Sequence, residues 1–83
     1  NLAKYFVDRY RFELNSTVHP ENKTIIIHET HEIIGNFLGI HTRTVERHIR
    51  ALKQEGLIST AKGKVSISPA QYQELLRYVT SNL

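Results

Sequence analysis

The residues of this chain with the most chemical capacity fall into two groups. The first is the run HETHE, His28 to Glu32, which places two imidazoles and two carboxylates within five positions. Imidazole nitrogens and carboxylate oxygens are zinc ligands, and a zinc hydrolase sets two histidines four apart on one helix, with glutamate after the first. Here His28 and His31 are three apart, and His28 reads as the end of a strand, before a helix has begun. Their rings need not converge, and no third ligand follows at a helical spacing. The second group lies downstream. Arg43, Arg47, Arg50, Lys53, Lys62 and Lys64 stand against only Glu46 and Glu55 between residues 41 and 64, with His41 and His48 among them. Arginine gives two parallel hydrogen bonds to guanine O6 and N7, and lysine neutralises phosphate, so this group has the chemistry of polyanion recognition. An ordinary solvated face accounts for the same charges.

Composition narrows the choice. The formal net charge is +3, and its whole positive excess sits in residues 41–64; the remainder of the chain is slightly acidic. At 83 residues the chain is one domain, 1–83, burying roughly 60–65% of its unfolded surface, too little for a deep enzymatic cleft. No cysteine is present, which excludes disulfides, thiolate zinc sites and iron–sulfur clusters. No apolar run approaches the roughly 18–20 residues of a membrane span, and the basic-then-apolar layout of a signal peptide is lacking. The expectation is a cytoplasmic domain without a membrane partner or a cofactor of its own. A chain that opens on Asn1 and holds no methionine reads as a fragment of a longer protein.

The elements that must position these residues follow from periodicity. Asn1 caps a first helix with Leu2, Ala3, Phe6, Val7, Tyr10 and Leu14 at helical spacing and Lys4, Asp8, Arg9 and Arg11 outside. If Phe6 or Tyr10 were left uncovered, that edge could meet another domain or subunit; core packing explains them equally. Asn15 to Lys23 reads as a loop, and Ile25, Ile26 and Ile27 as a short strand. Thr30 caps a second helix, Glu32 meets its dipole, and Ile33, Ile34, Phe37 and Leu38 form its buried stripe up to Gly39. A third helix begins near His41 or Thr42 and runs to about Gln54, with Val45, Ile49 and Leu52 inward and Arg43, Glu46, Arg47, Arg50 and Gln54 outward. Beyond Gly56, Leu57-Ile58, the turn-prone Ser59 to Lys64 and Val65 to Ile67 suggest a hairpin with a basic tip. Ser68 and Pro69 open a last helix with Tyr72, Leu75, Leu76 and Val79 on one stripe. Two short helices joined through a glycine turn and followed by a hairpin describe a winged helix-turn-helix, mainly α, with a three- to four-helix core plus wing. Gly35 suits the helix crossing, where a side chain would push the two helices apart.

The stretch THEIIGNFLGIHTRTVERHIRALKQEGLI, Thr30 to Ile58, followed by KGKVSI, resembles the C-terminal DNA-binding domain of the cyclic-AMP receptor protein/Fnr family of bacterial transcription regulators. LAKYF and HPENKTIII also fit that pattern. The resemblance implies sequence-specific binding to double-stranded DNA, with the recognition helix, about 42–54, in the major groove and the wing, about 59–65, on the backbone. It further implies a homodimer in the full-length protein, a separate N-terminal effector-sensing domain, and RNA polymerase as a further partner. By position in the motif, Thr42, Arg43 and Arg47 fall where base edges are read, and His41 and Thr44 where phosphates are touched. Arg43 departs from the family's common glutamate, His41 replaces a Ser or Thr cap, and His48 takes a slot that is normally aliphatic.

Lys62 and Lys64 at the wing tip and His31 in the first turn of the second helix are further phosphate-contact candidates, although Glu32 beside His31 would repel phosphate. For Arg50 and Lys53 a phosphate contact stands against plain solvation. His48 reads as a partly buried packing residue rather than a ligand. Tyr5, Tyr10, Tyr72 and Tyr78 do not cluster as a platform for single-stranded nucleic acid. No catalytic residues are assigned, since no nucleophile–base pair or phosphate-cradling glycine loop is present. Two other functions compete with DNA binding: a winged helix that contacts only protein, and a metal sensor using His28, His31, His41 and His48.

Overall fold

The computed structural model describes residues 1–15 and 23–81. Most of the expected 15–23 loop therefore lies outside the described residues. The first helix, α1 (Leu2–Leu14), is capped by the Asn1 side chain, which accepts from the Lys4 amide at 3.3 Å. Leu2, Ala3, Phe6, Val7 and Tyr10 are buried as their spacing requires, and Tyr5 joins them from the flank. Strand β1 (Ile25–Ile27) buries its first and third residues, while Ile26 is 48% exposed, the alternation a pleated strand imposes.

The two helices expected to form the helix-turn-helix are α2 (His31–Leu38) and α3 (Thr42–Gln54). Thr30 caps α2, its Oγ1 accepting from the Ile33 amide at 3.1 Å. The chain then turns at Gly39, where φ is +73°, and the Ile40 amide returns to the Gly35 carbonyl at 2.9 Å. A side chain would strain that left-handed backbone, so glycine sets the exit angle that aims α3. At Gly35 an added Cβ would lie 2.7 Å from the Ile40 carbonyl oxygen and 3.4 Å from Val45 Cγ2. The crossing is therefore tight first against the turn and only second against the neighbouring helix.

The wing is shorter at its tip than its composition suggests. Residues 59–64 look turn-prone throughout, yet Ser59–Ala61 form β2, Lys64–Ile67 form β3, and only Lys62 and Gly63 remain between them. Both carry positive φ, +54° and +77°, which is what a two-residue turn needs to match the twist of paired strands. Leu57 and Ile58, read as the start of the hairpin, are buried and join α3 to the sheet. β3 is central in a three-stranded antiparallel sheet of order β1-β3-β2, pairing Ile27 with Val65 on one side and Ser59 with Ser66 on the other.

Helix α4 (Pro69–Ser81) opens with a reciprocal cap: the Gln71 amide donates to Ser68 Oγ at 3.1 Å, and the Ser68 amide to Gln71 Oε1 at 3.0 Å. The Gln71 side-chain amide also donates to the Gly56 carbonyl and to Ser59 Oγ, tying this helix start to the root of the wing. Leu75 is fully buried, while Tyr72, Leu76 and Val79 are partly buried against the core.

One expectation about packing needs correction. Ile33 and Phe37 were expected in the buried stripe of α2 but are 53% and 75% exposed; only Ile34 and Gly35 are fully covered, because α2 is eight residues long and its neighbours reach one side of it. Phe6 and Tyr10 are enclosed, and the exposed aromatic of α1 is Phe12, with the Arg9 guanidinium 5.2 Å from its ring centre. Two tyrosines do stack, though on each other inside the fold: Tyr10 and Tyr72 lie 4.3 Å apart and nearly parallel. The Tyr10 hydroxyl donates to the Lys23 carbonyl, so the buried phenol keeps a partner.

Candidate nucleic-acid interface

Helix α3 is held by one face and offers the other. Val45, Ile49 and Leu52 are buried, at 0%, 6% and 5% exposure, and fix the rotation of the helix about its axis. That rotation leaves Arg43, Arg47, Arg50 and Lys53 exposed, and Thr42 and Thr44 half-buried. Arg43 and Arg47 are four residues apart and so lie one turn above each other on the same face. His48, expected to be partly buried, is exposed; it sits one position off the buried stripe, at the lip of a shallow pocket with Leu2, Ala51 and Tyr78.

The N-terminus of α3 is open. His41 takes the capping position, but its side chain makes no cap hydrogen bond; only its carbonyl accepts, from the amides of Thr44 and Val45. The early amide donors of a helix bind anions well, and here no side chain of the cap competes for them. His41 itself is exposed beside them.

The charges divide by partner. Outside residues 41–64, Lys4 pairs with Asp8, Arg9 with Glu13 and Glu29, and Arg77 with Glu74, while Arg11 donates to the Tyr72 hydroxyl instead of a carboxylate. Among the described residues, Arg43, Arg47, Arg50, Lys53, Lys62 and Lys64 make no ion pair within 4.0 Å, and all six are exposed. A merely solvated face tends to acquire opposite charges at i+3 and i+4, as α1 does with Lys4 and Asp8. On α3 the one carboxylate within the basic face, Glu46, is turned aside to His31, with Nδ1 and Oε2 3.3 Å apart.

The wing tip presents Lys62, Gly63 and Lys64. Lys62 sits in the left-handed region, an uncommon place for a side chain other than glycine, asparagine or aspartate. The two-residue turn projects both ammonium groups from the end of the hairpin.

The run HETHE is divided among separate tasks. His28 follows β1 and is exposed, Thr30 caps α2, and Glu32 lies exposed in the first turn of that helix. His31 is half-buried against Glu46. Glu29, which periodicity gave no reason to single out, is the structural residue of the run. It accepts from Arg9 Nε at 2.7 Å and from the Tyr5 hydroxyl at 2.9 Å, joining α1 to the start of α2. Burial alone would raise its carboxyl, but the hydrogen bonds from Tyr5 and Arg9 and the charge on Arg9 outweigh that and hold it below the usual value. Burial, followed by the hydrogen bond to Glu29, pushes the Tyr5 phenol up to about 12. Partners fifteen or more residues apart leave no local signal, so neither this cluster nor the His31–Glu46 pair could be read from spacing.

Among the described residues no group of three or more His, Asp or Glu side chains comes together to hold a metal, and no helix is long and apolar enough to cross a membrane. A family model described as the Crp-like helix-turn-helix domain matches residues 2–77. No curated protein and no solved structure matches the chain.

Proposed function

Because the chain belongs to the Crp-like helix-turn-helix domain family, a family of DNA-binding transcription regulators, we propose that it binds specific duplex DNA sites with α3 in the major groove and the wing on the backbone. Thr42, Arg43 and Arg47 read base edges in this scheme. His31, His41, Thr44, Arg50, Lys62 and Lys64 contact phosphates. The observation that carries the reading is the gathering of unpaired charge: six exposed cations on α3 and the wing have no carboxylate partner, whereas Lys4, Arg9 and Arg77 elsewhere are paired. A homodimer, an N-terminal effector-sensing domain, contact with RNA polymerase and a cytoplasmic location complete the proposal for the full-length protein.

The test is to select preferred duplexes from a random pool with the full-length protein and to measure affinity against salt. Affinity should fall steeply as salt rises, because bound phosphates release counterions. Arg47→Ala should narrow the gap between preferred and random sites by about 1–3 kcal/mol, whereas Lys62→Ala should weaken all sites alike. Selected sites should be inverted repeats with half-sites about 34 Å apart. Absence of duplex binding even at low salt defeats the proposal. A second reading, a winged helix that contacts only protein, draws on the exposed Phe12, Ile33 and Phe37; it predicts that same absence.

A further inference from the structure

The contact between His31 and Glu46 joins the start of α2 to the recognition helix across fifteen residues of sequence. His31 offers Nδ1 to the Glu46 carboxylate and is 31% exposed, so part of the ring remains open to solvent at the positive end of α2. A neutral imidazole has one N–H and one lone pair. If Nδ1–H is donated to Glu46, Nε2 can only accept, and it meets a phosphate oxygen as one lone pair meets another. With a second proton, both nitrogens donate and the ring bridges two anions.

We infer that His31 is a proton-linked phosphate ligand positioned by Glu46, so that DNA binding takes up a proton on this imidazole. The inference rests on the DNA-binding reading above. Imidazole is the side chain whose protonation lies nearest neutrality. The other charged groups nearby act otherwise. Glu29 is engaged with Arg9 and Tyr5, Glu32 is exposed on α2 itself, and the exposed His28 and His41 have no hydrogen-bonded carboxylate. Glu46 is therefore a positioning residue: it holds Nδ1, and it repels phosphate whenever His31 is neutral. The sign follows directly. The complex favours the protonated ring, so affinity is highest at low pH and falls as the ring gives up its second proton with rising pH.

The test uses the full-length protein and a selected duplex, with Kd measured from pH 5.5 to 8.5 at fixed ionic strength. Wild-type affinity should rise as pH falls, approaching about tenfold per pH unit, the limit for one proton. His31→Gln should remove this slope, and His31→Arg should bind with high affinity and a flat profile, because its charge is permanent. Glu46→Gln should raise affinity at high pH, where repulsion is relieved, and move the pH-dependent rise to lower pH. His28→Gln should keep the slope. If the slope survives in His31→Gln, or disappears instead in His28→Gln, the inference is overturned while DNA binding stands. If Glu46→Gln lowers affinity equally at every pH, Glu46 is only structural and the positioning role is overturned. Failure of the wild type to bind any duplex at any pH or salt removes the underlying reading, and this inference with it.

Discussion

Glu29 shows how a single carboxylate can tie the first helix to the start of the helix-turn-helix. It sits one residue before the cap of α2 and is held by Arg9 and Tyr5 of α1, with both side chains of the Arg9–Glu29 pair about three-quarters buried, at 24% and 25% exposure. Replacing Glu29 with alanine leaves the buried Tyr5 phenol without this acceptor and the mostly buried Arg9 guanidinium with Glu13 alone, a destabilisation on the order of 1–3 kcal/mol. The pair also predicts an acid response. Glu29 is held below its ordinary value of 4.5, so its contribution is present above that pH and is lost as pH falls through the lowered one. Urea unfolding between pH 7 and pH 3 should show the wild type losing more stability than Glu29→Gln, and parallel curves would refute the assignment. Roles that rest on sequence neighbours were legible beforehand, as with Thr30 at a helix start. Glu29 was not, because its partners are brought to it only by the folded chain.

Among the elements, the wing combines a geometric and an electrostatic demand at Lys62. Its φ of +54° suits asparagine better than lysine, yet lysine puts a cation at the tip. Lys62→Asn should therefore raise unfolding stability by on the order of 0.5–1 kcal/mol while weakening binding to all duplexes and lowering the salt slope by about 1. Thermal melts and salt titrations check the two halves separately; a variant both less stable and equally tight would contradict the account. The four helices were legible because buried residues recur at 3.6-residue spacing and Asn1, Thr30 and Ser68 mark three starts. The hairpin strand Ser59–Ala61 was not, since serine, threonine and alanine before Lys-Gly have turn composition, and only pairing with β3 makes them a strand. Phe37 was misplaced for a different reason. Periodicity says which face of a helix is apolar, but the width of cover depends on neighbours that the sequence does not locate.

At the scale of the whole molecule, the winged helix-turn-helix class followed from element order, and the basic segment followed from charge counting; the contacts that fix the elements against one another did not. The central place of β3 matters most here. β1, which leads through Glu29 into α2, is paired with it, and β2, whose root is tied to α4 by Gln71, is paired on its other side. The strand that leads into the helix-turn-helix and the outer strand of the wing are thus both paired to β3. If α3 and the wing bind duplex DNA together as proposed, the stiffness of the duplex between their contacts becomes part of what is read. Duplexes identical at every contacted base but differing in the flexible or stiff steps between them should bind with different affinity in competition assays, and a flat series would speak against shape readout. Base pairs that no side chain touches would then help define the operator, through the free energy needed to bend them.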